Sequence, residues 1–173
     1  MAIKGGKFER VVQHKIFRPI RLKVILKILN KLPGGKILDI GCMDDYLLKK
    51  LPKKFDYYGI DDEPLCKNPN IKKIRVEELP KNKKYDIVIA TEVLEHLNNP
   101  IEGINALKNL SKRFILVSVP NEPFFSLFRF FLPAREHLWT IFPEALKRHL
   151  GKPILEKIAS FGRTYIALWD TKK

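Results

Sequence analysis

Lys36-Ile37-Leu38-Asp39-Ile40-Gly41-Cys42-Met43-Asp44-Asp45-Tyr46-Leu47-Leu48 is the stretch around which the rest of the chain is organised. An apolar run broken only by Asp39 is followed at once by Gly41 and then by a leucine-spaced segment, Tyr46 to Leu51, a pattern that predicts strand, tight turn and helix. A glycine at such a turn lets the backbone approach a ligand with no Cβ in the way, and the start of the following helix offers unpaired N–H groups. In a parallel α/β sheet this is where a nucleotide-like ligand binds.

A second short apolar run, Asp56-Tyr57-Tyr58-Gly59-Ile60-Asp61, ends in the carboxylates Asp61 and Asp62. Asp61 lies 22 residues beyond Asp39, close to the interval of about 20 expected for an acid that accepts from ribose hydroxyls. A third run, Tyr85 to Ala90, is almost wholly apolar, which predicts a central strand, and it leads into Thr91-Glu92-Val93-Leu94-Glu95-His96-Leu97. In this order the segments from Lys36 to Val119 resemble the class I S-adenosylmethionine-dependent methyltransferases. The resemblance implies a doubly wound, mostly parallel seven-stranded sheet with helices on both faces, and S-adenosylmethionine as cofactor. The family's loop carries three alternating glycines; here only Gly41 remains, with Met43 and Asp45 at the other two positions. Carried over by position, Asp39, Gly41, Cys42 and Met43 shape the cofactor loop, Asp61 and Asp62 face the ribose, and Thr91 closes the next strand. Family members commonly hold the adenine amino group with an acid at the third strand end. Arg75 stands there in this chain, so Val76 or Glu77 takes that role.

The length of 173 residues suits one domain with a basic N-terminal arm and helix over residues 1–35. A hydrophobic fraction of 45% with 30% charged residues excludes a disordered or fibrous class. Two cysteines make no disulfide framework, and no apolar run reaches the roughly 18 residues of a membrane span, so a cytoplasmic protein is expected. Residues 1–36 hold ten Lys or Arg against one Glu and thus nine of the fourteen net positive charges. Such an arm fits a nucleic acid or an anionic membrane surface, or is simply solvated.

Spacing predicts a helix from Pro19 to Leu32, with Ile20, Val24, Ile25, Ile28, Leu29 and Leu32 inward and Arg21, Lys23, Lys27 and Lys31 on other faces. Further strands are expected at Ile71 to Val76 and Phe114 to Val119, and helices at Thr91 to Leu97, Ile101 to Leu110 and Pro143 to Leu150. Ile154 to Ser160 and Thr164 to Trp169 read as two closing strands, an antiparallel hairpin by the resemblance.

Methyl transfer from a sulfonium needs mainly alignment, plus a base where the acceptor keeps its proton. Glu92 and His96, four apart on the expected helix face, are the candidate catalytic pair. With Glu95 they also match a pattern that some related methyltransferases use for a divalent metal; no metal is assigned. Phe124 to Leu132 holds five of the eleven phenylalanines around Arg129, and reads as a cover over a small or partly apolar acceptor, a buried helix or a lipid-facing element. Phe124, Phe128, His137 and Trp139 are the candidate substrate contacts.

Overall fold

The computed structural model describes residues 13–79, 84–121 and 138–172. One wider helical turn, Gln13–Phe17, leads into helix α1, Arg18–Asn30. The strands are β1 Gly35–Ile40, β2 Phe55–Asp61, β3 Ile71–Lys73, β4 Tyr85–Thr91 and β5 Ser111–Pro120, then β6 Leu155–Ala159 and β7 Thr164–Asp170. Helix α2, Pro100–Leu110, joins β4 to β5, and helix α3, Pro143–Leu150, precedes β6. The sheet order is β3-β2-β1-β4-β5-β7-β6. The first five strands are mutually parallel, and β7 lies antiparallel between β5 and β6.

The apolar runs place the central strands because both sides of the sheet are covered. Leu38, Val88, Ile115 and Val117 face one layer with Ile104 and Leu107 of α2 and Leu146 of α3. Ile37, Ile87, Ile89 and Leu116 face the other, against Leu22, Ile25 and Leu29 of α1. Asn99 caps α2 by accepting from the N–H groups of Ile101 and Glu102, and Pro100 occupies its first turn, where a missing N–H is harmless.

Three sequence expectations are corrected. Tyr46 to Leu51 is not a helix but a loop with one 3₁₀ turn, Leu48–Lys50. The Asp44 carboxylate takes the Tyr46 N–H at 2.8 Å, a local bond that competes with helix formation. Thr91 to Leu97 likewise reduces to a 3₁₀ turn at Leu94–His96, because Glu92 sits at φ 55°. The third strand stops at Lys73, and Val76–Glu78 forms another 3₁₀ turn. The closing hairpin, α2 and α3 stand where their periodicity put them. No helix among the described residues is long and apolar enough to cross a membrane.

Candidate functional site

The carboxyl ends of β1, β2 and β4 meet at the loop after Ile40. Gly41 lies at φ 67°, and a Cβ there would stand 2.4 Å from Cγ2 of Val93. The close approach that demands glycine is therefore to the turn after β4. The Gly41 and Cys42 N–H groups both donate to Ile60 O, at 2.8 and 3.1 Å, which ties the loop to β2. Met43 adopts φ 62°, a backbone conformation that the family's glycine would take without strain.

Asp61 closes this loop. Its Oδ2 accepts from Met43 N–H at 2.8 Å and its Oδ1 from Glu63 N–H at 2.9 Å. Each carboxylate oxygen has a second lone pair, so two acceptor sites remain for hydroxyl groups. Beside it a shallow cleft of about 290 Å³ is lined by Asp62, Glu63, Lys73, Ile74, Arg75 and Glu78. Val76 is buried in the core and Glu77 is exposed, so Glu78 and Arg75 line the cleft where the sequence pointed to Val76 and Glu77.

Asp39 lies below the loop, 3% exposed, with Oδ2 accepting from the Tyr57 hydroxyl at 2.8 Å. Its Oδ1 has no hydrogen-bond partner among the described residues. Burial pushes its carboxyl pKa up to about 7, against the opposing pull of Tyr57 and Arg18. Burial also raises the thiol of Cys42, with the charges of Asp39 and Asp61 adding to the effect. Cys42 is thus a neutral packing residue, its side chain in the core and its N–H in the loop.

Two arginines from α1 complete the site. Arg18 makes a bidentate bond to Asp44, 2.7 Å at each oxygen, and its guanidinium lies 5.4 Å from the centre of the Tyr46 ring. Arg21 was expected on an outer face but is 9% exposed, with its Nη1 3.6 Å from Glu92 Oε2. Its Nε has no partner among the described residues. The signal for this was in the spacing: Arg21, Ile25 and Ile28 fall on one buried stripe.

Glu92 and His96 do not share a helix face as expected. Glu92 projects from a left-handed backbone position at the end of β4, where its N–H donates to Ser118 O at 2.9 Å and its Oε1 accepts from Ser118 Oγ at 3.3 Å. Burial raises its pKa, opposed first by Arg21, then by Ser118 and His96. His96 is exposed, and Glu95 is buried. Among the described residues no three His, Cys, Asp or Glu side chains converge as a metal site. Thr91 ends β4 opposite Ser118. Trp139 packs back on this turn, its main-chain N–H donating to Glu95 O at 3.2 Å and its indole N–H to Leu97 O at 2.9 Å. Phe124, Phe128 and His137 lie outside the described residues.

The residues present fit S-adenosylmethionine at two points: the Asp61 carboxylate and the glycine-like backbone of Met43. The family model described as a methyltransferase domain matches residues 12–153. A ubiquinone biosynthesis O-methyltransferase of Acinetobacter baumannii (strain AYE) is 31% identical over 134 residues, covering 62% of this chain and 56% of that protein. One of the same description from Rickettsia bellii (strain OSU 85-389) is 33% identical over 132 residues, covering 66% and 54%. The chain thus spans little more than half the length of the curated relatives it matches. Among solved structures, magnesium protoporphyrin IX methyltransferase from Synechocystis PCC 6803 with bound SAH superposes with a TM-score of 0.73 at 16% identity, covering 97% of this chain and 89% of that one, a likeness of fold. With its sheet order, its loop and a family match running through most of its length, this chain belongs to the class I S-adenosylmethionine-dependent methyltransferases.

Proposed function

We propose that the chain transfers the methyl group of S-adenosylmethionine to an oxygen of a small, partly apolar acceptor. The observation that carries this reading is Asp61 at the end of β2, which holds the Met43 loop and keeps acceptor capacity on both oxygens. These acceptor sites suit the two hydroxyls of a ribose. The cleft beside Asp62, Ile74 and Arg75 suits the adenine. When bound, the cofactor supplies a methyl on a sulfonium, whose leaving group is a neutral thioether.

The chain's own residues then align the acceptor and hold its proton. Glu92 stands at the end of β4 on the ligand edge of the sheet, and its raised carboxyl pKa makes its carboxylate a stronger base than an exposed one. Arg21 keeps that carboxylate available. His96, on the next turn, is the other group able to accept a proton, and Trp139 fixes that turn. The printed activity of the curated relatives, O-methyl transfer, supports an oxygen acceptor. The two free cysteines support a reducing, cytoplasmic setting.

The test is calorimetric titration with S-adenosylmethionine, followed by transfer of labelled methyl from it to a panel of small hydroxylated aromatic acceptors. Binding by the wild type, loss of binding in Asp61→Ala and label on an acceptor oxygen support the reading. A second reading, a non-catalytic scaffold or cofactor sensor, rests on Met43 and Asp45 in place of glycines and on Arg75 in place of an acid. It forecasts no transferred label with any acceptor.

A further inference from the structure

Between Glu9 and Asp39 the sequence has no acidic residue and eight basic ones. Arg18 and Arg21 turn inward to Asp44 and Glu92. Lys23, Lys27 and Lys31 do the opposite. They follow one another at intervals of four and are all exposed, while Leu22, Ile25 and Leu29 between them are buried, so the lysines form one ridge on the outer side of α1. Like charges four apart weaken a helix, and interleaved glutamates would remove that penalty. The sequence supplies none.

A second row of cations runs alongside. At the first turn of α1, Lys50 Nζ lies 5.0 Å from the Tyr46 ring centre, on the ring that also carries Arg18. At the last turn, Lys54 Nζ donates to Asn30 O at 2.9 Å and to Leu32 O at 2.6 Å. The segment from Tyr46 to Lys54 therefore lies along the length of α1, with Lys50 and Lys53 exposed. Asp45 pairs with Lys49. Lys23, Lys27, Lys31, Lys50 and Lys53 have no ion-pair partner among the described residues.

Two polyanions match such a face, and the apolar content decides between them. A helix that settles on lipid inserts large apolar side chains beside its cations. Among the described residues, Ile16 on the turn before α1 is the one exposed large apolar side chain near the ridge; the other exposed ones belong to other elements. A phosphate backbone needs charge and N–H donors alone. We propose that the α1 ridge and the 46–54 segment together form a binding face for the phosphate backbone of a nucleic acid. The face reads no bases, because the ring within it, Tyr46, is already covered by Arg18 and Lys50 and the ring that follows it, Phe55, lies under Lys54. This inference stands independently of the methyl-transfer reading.

The experiment is fluorescence anisotropy of a labelled 20-nucleotide single-stranded RNA of mixed sequence, titrated with the full chain between 50 and 200 mM salt. If all five free ammonium groups meet phosphates, the log–log salt slope is about −3.5, a loss of roughly a hundredfold over that range. Lys27→Glu/Lys31→Glu should lose at least tenfold in affinity at 50 mM salt. Lys108→Glu/Lys152→Glu, with the same change in net charge on the opposite layer, should lose less than threefold. Circular dichroism checks the fold, and Lys27→Gln/Lys31→Gln replaces the ridge variant if that one is unfolded. Equal loss in both pairs overturns the proposal, as does absence of RNA binding at 50 mM salt. Binding to phosphatidylserine vesicles without binding to RNA overturns it too.

Discussion

Met43 donates its backbone N–H to Asp61 Oδ2 over 2.8 Å, so the residue in place of a family glycine is held by the residue assigned to the ribose. In the proposed reading, loop shape and cofactor recognition share one carboxylate. Arg18 reinforces the same loop from outside by gripping Asp44.

Asp61→Ala removes the acceptor for Met43 and Glu63 together with the one proposed for the ribose. Affinity for S-adenosylmethionine should fall by about 2 kcal/mol or more, roughly thirtyfold, since hydrogen bonds to a charged acceptor are among the strong ones. Calorimetric titration reads this directly. An unchanged dissociation constant removes Asp61 from the site.

Met43→Gly should tighten cofactor binding by relieving crowding over the loop. Sequence reasoning alone attaches a stability loss to the added glycine, up to about 1 kcal/mol. The observed φ of 62° reverses that sign, because a left-handed backbone costs an L-residue about 1–2 kcal/mol that glycine avoids. Urea denaturation should show equal or higher stability; a loss above about 1 kcal/mol would mean that the Met43 side chain packs usefully where it is.

Gly41→Ala should destabilise the fold by about 1–3 kcal/mol, since its Cβ would meet Val93 Cγ2 at 2.4 Å and its φ is positive. Val93→Ala removes the obstructing methyl. The double variant should therefore lose less than the two single losses added, and strict additivity in denaturant melts would separate the two residues.

Asp39 makes stability depend on pH. Its carboxyl pKa is about 7 in the folded chain, against an ordinary 3.8, so the unfolded state releases its proton first as pH rises. The fold binds more protons than the unfolded chain between those values, and this contribution to stability falls as pH climbs from about 4 to about 7, then levels off. Asp39→Asn cannot ionise. Denaturation of both proteins at pH 4.5, 6 and 7.5 should show the wild type losing stability relative to the variant as pH increases; parallel curves would place the Asp39 pKa in the ordinary range.

The sheet was legible because its central strands are almost wholly apolar runs, as at Tyr85 to Ala90, and because α2 and α3 carry proline in their first turns. That Asp61 closes the second strand was legible too, from the carboxylates that end its apolar run. The two false helices were not, since apolar spacing at Tyr46 to Leu51 and Thr91 to Leu97 is overridden by one side-chain bond from Asp44 and one left-handed residue, Glu92. Arg18 and Arg21 escaped notice for another reason. A basic residue on an amphipathic helix is ordinarily solvated, and only the tertiary contact with Asp44 or Glu92 turns it inward.

Asn121 and Trp139 are both moored at the ligand edge of the sheet. Asn121 donates its N–H to Arg163 O at 2.8 Å and its amide to Gly162 O at 2.8 Å, and Trp139 is fastened to Glu95 and Leu97. The two moorings are independent of each other, because one holds the end of β5 against the β6–β7 turn and the other holds the turn after β4. Strand register there is set by separate bonds along β4–β5 and β5–β7. A change at Trp139 is therefore confined to the turn that carries Glu95 and Leu97 and leaves the strand pairing as it is.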